Sequence, residues 1–394
     1  MNARHHAVIV SAARTPMGSF NGSYSSIPAT KLGSLAIAEA VKRIQLPGDR
    51  IDEALMGCVL SAGLGQAPAR QAAIGAGLSH SVGAVTVNKV CGSSLQAVMM
   101  ATRAIALGEA TVMVAGGMEN MTRAPFLLEK ARQGYRLGHG ELTDSLIKDG
   151  LWDVYNQFHM GNAGELCAAK YRLSRQEVDD FALESYSRAR DAITRGAFEK
   201  EIVPVEVPQK KGAPVLVSDD EEPNRVDLTK LRQLKPVFQD NGVLTVGNSP
   251  SCNDGAAALV IMAEEEAARL GLAPMARIIG YAGAALAPEW FTIAPVEAIR
   301  RLLKQTGLSV NDIDLFEINE AFSAVSLAID RELGLDPKKV NVNGGAVALG
   351  HPIGATGARI LTTLLYAMEA RDVRRGLAAL CIGGGEALAL LVER

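Results

Sequence analysis

Asn88-Lys89-Val90-Cys91-Gly92-Ser93-Ser94-Leu95 is the stretch on which the reading of this chain turns. It follows an apolar, β-branched segment, Val82 to Val90. It opens onto Leu95, Val98, Met99, Thr102 and Ile105, which share one face at helical spacing. Gly92, Ser93 and Ser94 are small, so backbone or ligand can approach closely. Cys91 therefore stands where a strand hands over to a helix N-terminus. The positive end of the helix dipole favours a thiolate there, and the thiolate is the attacking form of cysteine. The competing role is a small buried hydrophobe, the usual state of a free cysteine. The choice depends on whether the rest of the chain supplies a base, a second acid and an oxyanion site.

Working outward, strands and helices alternate. Ala7 to Ser11, Glu53 to Leu60 and Thr111 to Ala115 read as strands, and Lys31 to Ile44 and Pro68 to Gly77 as helices. This alternation predicts an α/β layered fold. From about Met121 to Asn248 the segments turn polar and irregular. Within them, Ser174-Arg175-Gln176-Glu177 is a capping box that opens one amphipathic helix, and Gly196 stops it. Val203 to Val207 and Val215 to Val217 suggest short edge strands among prolines, and the acidic run Asp219 to Glu222 reads as a solvated loop. The region looks like an insertion laid over the core. Core character returns with strands at Gly255 to Met262 and Arg277 to Ala282. Thr111 to Glu119 then resembles Ala378 to Glu386: an apolar strand, a glycine pair, and Glu two positions after it. Self-similarity of this kind suggests two copies of one α/β unit.

The chain has 394 residues, 48% apolar and 21% charged, with 40 basic against 43 acidic side chains. That is the profile of a soluble globular protein of two or three domains. A net charge of −3 with no basic stripe argues against nucleic acid or a membrane surface as partner. Cys58, Cys91, Cys167, Cys252 and Cys381 are widely spread, without metal-site spacing or a legible disulfide framework. This points to a reducing compartment, the cytoplasm. The polar start, Met1 to His6, leaves no room for a signal or transit peptide, and no apolar run is expected to span a membrane.

Three further stretches carry chemistry. Gly344 to Gly357 places His351 in a glycine-punctuated loop ahead of a helix, Ala358 to Glu369, and after a strand read at Val340 to Asn343. Histidine suits proton transfer near neutral pH. Leu380-Cys381-Ile382-Gly383-Gly384-Gly385 puts a second cysteine at the C-terminal end of a buried strand, where open α/β sheets build their sites. The glycines after it can bring backbone N–H groups to a substrate oxygen. Ile318-Asn319-Glu320-Ala321-Phe322 opens a helix that Asn319 can cap; Asn319 can also hold a catalytic water, with Glu320 as the alternative carboxylate. No Gly-x-Ser-x-Gly elbow is present, and no Gly-x-Gly-x-x-Gly follows the first strand.

Together, Asn88 to Ser93, Asn319 to Phe322, Gly350-His351-Pro352-Ile353-Gly354 and Cys381-x-Gly383 resemble the thiolases in order and spacing over the full chain. The resemblance implies two similar βαβαβαββ halves, each with a mixed five-stranded sheet, packed as α/β/α/β/α layers with an inserted loop domain. The boundaries read as residues 1–120, insertion 121–248, completion of the first half 249–272, and second half 273–394. It implies Cys91 as the nucleophile that carries the acyl group and His351 as the acceptor of its proton. It implies Cys381 as the acid/base for the α-carbon of acetyl-CoA, and Asn319 as holder of a water. The N–H groups of Cys91 and Gly383 would form an oxyanion hole.

Within that family the loop region is most similar to mitochondrial-type acetoacetyl-CoA thiolases. The resemblance assigns coenzyme A contacts to His159, Met160, Tyr186, Arg225, Val226, Asp227, Lys230, Ser249, Phe291, Ala321 and Phe322. It implies acetyl-CoA and CoA as the small-molecule partners, no permanently bound cofactor, no catalytic metal, and a homodimer or homotetramer. Phe291 goes with tolerance of α-methyl substrates in those relatives. Departures are Pro250 where a serine contacts pantetheine, with Ser249 or Ser251 as substitutes, and Asn162-Ala163-Gly164-Glu165 near the pocket. Glu386 could support the Gly383 turn. A degradative 3-ketoacyl-CoA thiolase of broader chain length is the alternative, and bulky Trp290 and Phe291 argue for short substrates.

Overall fold

The structure is a computed structural model and describes residues 5–394; of the polar start, residues 1–4 lie outside it. In chain order the first half contains β1 (Ala7–Arg14), α1 (Ala29–Arg43), β2 (Glu53–Gly57), α2 (Pro68–Gly75), β3 (Gly83–Val87), α3 (Ser93–Leu107) and β4 (Val112–Asn120). The insertion carries α4 (Met160–Lys170) and α5 (Arg175–Thr194), after which β5 (Asn253–Ala263) returns to the core. The second half contains β6 (Ala276–Ala285), α6 (Ala294–Thr306), β7 (Leu315–Ile318), α7 (Ser323–Leu333), α8 (Thr356–Arg371), β8 (Arg375–Ile382) and β9 (Glu386–Glu393).

The strands join in the order β3-β2-β4-β5-β1-β6-β9-β8-β7. β2 runs parallel to β3 and β4, β7 runs parallel to β8, and the others are antiparallel. The halves meet where β1 pairs β6 through Val8 with Arg277 and Ile9 with Ala276. β1, β4 and β5 are buried on both faces and apolar nearly throughout, whereas β3 and β6 expose alternate positions. In β8, Ala378, Leu380 and Ile382 face the layer between the halves, while Leu377, Ala379 and Cys381 face the outer helices.

The middle layer is α3 and α8, where Leu95, Val98 and Ile105 pack with Leu361, Leu364 and Leu365. Each such side chain contributes about 1.5–3 kcal/mol by burial. Leu32, Ile37 and Ala72 of α1 and α2 cover the first half, and Ile299, Leu302, Val325 and Ile329 of α6 and α7 cover the second. The sequence from Val90 to Leu107 does reach the length and hydropathy of a membrane span, contrary to expectation. It is the central core helix, and its apolarity comes from being packed on several sides.

Two local expectations fail for physical reasons. Val340 to Asn343 is not a strand; one parallel bridge, Phe316 to Val340, is all that remains of a fifth strand in the second half. Asn341 adopts a left-handed φ of 45°. Its side chain substitutes for the ladder: Nδ2 donates to the Ile318 carbonyl at 2.8 Å and Oδ1 accepts from the Ile318 N–H at 2.9 Å. The acidic run is solvated only at Asp219. Asp220 is buried, takes the Arg14 guanidinium at 2.7 and 2.9 Å, and accepts the Met17 N–H at 2.7 Å. Arg14 also reaches Glu201 at 2.6 Å. Because every member is hydrogen-bonded, this buried pair fastens the insertion to the end of β1. The Ser174–Glu177 box forms as read, with the Ser174 N–H donating to the Glu177 carboxylate at 2.8 Å.

Candidate active site

Cys91 sits on a tight elbow between β3 and α3. Val90, a β-branched residue, takes φ of 47°, a costly conformation that the local hydrogen bonds enforce. The Lys89 N–H donates to Ser93 Oγ at 2.8 Å, and that hydroxyl donates to the Val90 carbonyl at 2.6 Å. Lys89 Nζ pairs with Glu386 at the start of β9, tying the elbow to the end of the Gly383 turn. Burial pushes the Cys91 thiol up to about 11, against the downward pull of the Gly383 N–H and the Cys91 N–H. A resting thiolate was the expectation, and desolvation overrides it. The rise corresponds to about 3 kcal/mol, several times what a helix end contributes. The two N–H groups that oppose the rise are the pair an oxyanion hole would use.

His351 follows Gly350, whose φ of 100° and close approach to Asn253 exclude a side chain. The His351 N–H donates to Asn253 Oδ1 at 2.9 Å. His351 Nδ1 lies 2.7 Å from Thr356 Oγ1, and that hydroxyl donates to the Pro352 carbonyl at 2.8 Å. With its one proton committed, the hydroxyl accepts from Nδ1–H, which leaves Nε2 as the free basic nitrogen. Burial, and then the positive Arg359, push the imidazole down to about 3, so it rests neutral. A buried carboxylate, Glu119, supports the loop: it accepts from the N–H groups of Val59 at 3.0 Å, Leu60 at 3.1 Å and Gly354 at 2.9 Å.

Cys381 is the penultimate residue of β8, buried opposite Ala387, and burial together with the nearby Cys91 raises its thiol well above the usual range. Beyond it Gly384 and Gly385 take φ of 92° and 93°, so the chain reverses directly after Gly383. Asn319 is buried and holds its place through its N–H to Ala379 at 2.9 Å. It does not cap α7, whose N-cap is Phe322. Neither its Oδ1 nor its Nδ2 has a partner among the described residues, the state of a side chain kept for a ligand or water. Glu320 is not an alternative acid: Ser185 Oγ, Asn341 Nδ2 and the Val347 N–H occupy it at 2.7, 2.9 and 3.0 Å.

A cavity of about 190 Å³ collects Cys91, His351, Gly383, His159, Met160, Ser249, Phe291, Ala321 and Phe322 on one lining. Among the described residues no group of three or more His, Cys, Asp or Glu side chains is arranged to hold a metal ion. The thiolase N-terminal domain model matches residues 7–265, and the thiolase C-terminal domain model matches residues 272–394. The chain belongs to the thiolase family.

Among curated relatives, this thiolase is 53% identical to acetyl-CoA acetyltransferase 2 of Arabidopsis thaliana, over 98% of this chain and 96% of that one. It is 51% identical to acetyl-CoA acetyltransferase of Pseudomonas aeruginosa, over 98% and 99%. Among solved structures, the Bacillus anthracis acetyl-CoA acetyltransferase superposes with a TM-score of 0.97 at 41% identity, covering all of both chains. The Acat5 thiolase of Ascaris suum in complex with coenzyme A superposes with a TM-score of 0.94 at 43% identity, over 99% and 100%.

Not every predicted thiolase contact lies on the cavity. Tyr186 is buried on α5 against Leu231 and Val347, outside the lining. Arg225, Asp227 and Lys230 are exposed on the insertion, and the Val226 carbonyl accepts from Arg190 at 2.6 Å. Trp290 is not on the lining; Lys170 Nζ stands 4.3 Å over its ring. Of the serines beside Pro250, Ser251 is committed to Asn253 Oδ1 at 2.8 Å, while Ser249 Oγ is buried with no partner among the described residues.

Sequence reasoning missed Phe238, which stacks on His159 at 5.1 Å and meets Phe322 edge-on at 5.8 Å. Nothing in its irregular loop marks it; the signal was indirect, in Asn162, whose Nδ2 donates to the Phe238 carbonyl at 2.7 Å. Glu165, the other half of that departure, accepts from the N–H groups of Val243 and Leu244 at 3.0 and 2.8 Å, so it positions the loop rather than meeting substrate.

Proposed function

We propose that this chain is an acetyl-CoA acetyltransferase: two acetyl-CoA give acetoacetyl-CoA and CoA, or the reverse, through an acyl-cysteine. The observation that carries this reading is the convergence of Cys91, His351 and the Gly383 N–H on one mainly apolar cavity, in a chain half identical to proteins of that name.

The chemistry follows from the resting states. His351 Nε2 takes the Cys91 proton as the thiol attacks the thioester carbonyl, and the Cys381 thiol gives its own proton to the departing CoA sulfur. The Cys91 and Gly383 N–H groups hold the carbonyl oxygen as it gains charge. Each such donor is worth roughly 3 kcal/mol or more. The Cys381 thiolate so formed removes an α-proton from a second acetyl-CoA. His351 and a water on Asn319 hold the enolate oxygen. The α-carbon attacks the acyl carbonyl, and Cys91 leaves and takes its proton back from His351. Splitting the condensation this way replaces one hard step by two easier ones.

Ser249, Met160, His159, Phe238, Phe291, Ala321 and Phe322 are read as the wall for acetyl and pantetheine. The exposed Arg225 and Lys230, with Val226 and Asp227, are read as the surface for the nucleotide end, and Tyr186 as support beneath it. No resident cofactor is needed for any step. Five unpaired cysteines favour a cytoplasmic setting in short-chain fatty acid metabolism, and a homodimer or homotetramer is the assembly to look for.

Thiolysis rates on acetoacetyl-CoA, 2-methylacetoacetyl-CoA and an eight-carbon 3-ketoacyl-CoA test the reading. The expectation is acetoacetyl-CoA first, the methylated substrate accepted, and the long chain at least about tenfold lower in kcat/KM. Equal kcat/KM on the long chain would establish the broader, degradative reading instead.

A further inference from the structure

Arg359 is the most unusual side chain outside the site. It is fully buried on α8, and none of its three guanidinium nitrogens has a hydrogen-bond partner among the described residues. Its nearest counter-charge is Glu317 Oε2 at 4.0 Å. Glu317 lies on β7, is buried too, and its second oxygen has no partner among the described residues. A buried arginine normally spends its five donors on carboxylates or carbonyls. Here the charge is kept and not spent.

The placement of the pair gives it a use. β7 runs through Glu317 and Ile318 directly into Asn319, and α8 begins at Thr356, whose hydroxyl orients His351. Glu317 and Arg359 therefore connect the two elements whose ends carry Asn319 and His351. We propose that Arg359 and Glu317 are positioning residues for the reaction, which fix Asn319 relative to His351 and set the electric field at the imidazole. This rests on the assignment of Asn319 and His351 to the enolate oxygen.

The titratable groups near His351 come from several elements: Cys91 at the elbow, Cys252 bridged to His351 and Glu119 under Gly354, with Arg359, itself beside Glu317, acting on it from α8. Of these, Arg359 is the cation, and its field adds to burial in holding the imidazole neutral. A guanidinium stays charged at any working pH, so the effect is constant. Cys91 can then give its proton to a vacant Nε2 even in mildly acidic solution. Removing the cation raises the basicity of the imidazole, while burial still holds it low, so the protonation that ends activity begins at a higher pH, between about 3 and 5. Burial, against the pull of Arg359, raises the Glu317 carboxyl to about 8, so it is protonated on the acid side and its replacement by glutamine does not lower activity there.

The experiment compares R359M, R359K and E317Q with the unaltered protein in thiolysis of acetoacetyl-CoA. It reads kcat, the KM for CoA, and the pH at which kcat/KM falls to half on the acid side. For R359M the expectation is kcat lower by about tenfold, KM within about threefold, and an acid half-point higher by about one pH unit. R359K restores the half-point, and E317Q does not raise it. If R359M folds, acylates Cys91 and keeps the original half-point, or if R359K behaves like R359M, the proposal is overturned. Should R359M fail to fold, the apolar pair R359M/E317M replaces it under the same criteria, because a buried ion pair exchanged as a unit is tolerated. Failure of the underlying assignment looks different: H351A would then keep its turnover, whatever Arg359 does.

Discussion

The two halves end their equivalent strands in the same way and use the result differently. In the first half β4 runs on through Gly116-Gly117-Met118-Glu119 without turning, and Gly117 is there because a Cβ would lie 2.3 Å from the Gly354 carbonyl. Glu119 points into the protein and holds the His351 loop by its Gly354 N–H. In the second half β8 stops at Ile382, the glycines reverse the chain, and Glu386 begins the next strand at the surface, paired with Lys89. One copy became a buried support and the other became a turn that presents a backbone N–H and, just before it, Cys381. The helices that follow the small-residue turns divide in the same manner: α3 follows the elbow that holds Cys91, and α8 follows the loop that holds His351. A repeated motif thus fixes where groups stand, and local backbone conformation decides what they do.

The contrast between the two cysteines breaks most sharply. C91A should lose the acyl-enzyme and about 10⁴-fold or more in turnover. C381A should still acylate and lose about 10²–10⁴-fold in condensation. N319A should lower kcat by about 10²–10³-fold without abolishing acylation, measured by single-turnover trapping. Next comes the pair of glutamates. E119Q, on the buried side, should lower kcat by about tenfold and the Tm by several degrees, because one backbone N–H then faces an amide. E386Q, on the exposed side, should stay within about threefold and within about one degree, since a surface ion pair is worth little. Equal effects of the two would show that the copies do not differ as described.

The smallest effect concerns protonation. With the Cys91 thiol near 11, its thiolate fraction rises about tenfold per pH step below that value. Alkylation of the free enzyme by iodoacetamide should therefore keep rising from pH 7 to pH 9, and a plateau near pH 7 would mean a resting thiolate. The sign for His351 is opposite in origin. Its folded pKa of about 3 lies below the unfolded value, so the unfolded chain binds more protons between them. The contribution to stability is present above about pH 6.5 and is lost as pH falls toward 3.

Much of this was legible in the residues. The elbow, the glycine-rich loop around His351 and the cysteine at the end of β8 are marked by small residues and strand-to-helix periodicity, which are local signals. What was not legible depends on distant partners. Asp220 looks like any acidic loop residue until Arg14 is placed beside it. Val340 to Asn343 has the composition of a strand, and only the Asn341 side chain bonding Ile318 shows why it is none. Phe238 has no periodic neighbours, and its place on the cavity comes from Asn162 and His159. The thiol states were misread because a helix end is visible in sequence and the desolvation that outweighs it is not.

The central claim is that the two thiols act in sequence, Cys91 on the cavity as carrier and Cys381, buried two residues before the cavity-lining Gly383, as the base. Mixing C381A with acetyl-CoA and weighing the intact protein and its peptides tests it directly. The account predicts one acetyl group, on Cys91, stable in the absence of CoA, with no acetoacetyl-CoA released. Acetoacetyl-CoA formed at the unaltered rate, or an acetyl group found elsewhere than on Cys91, would contradict it.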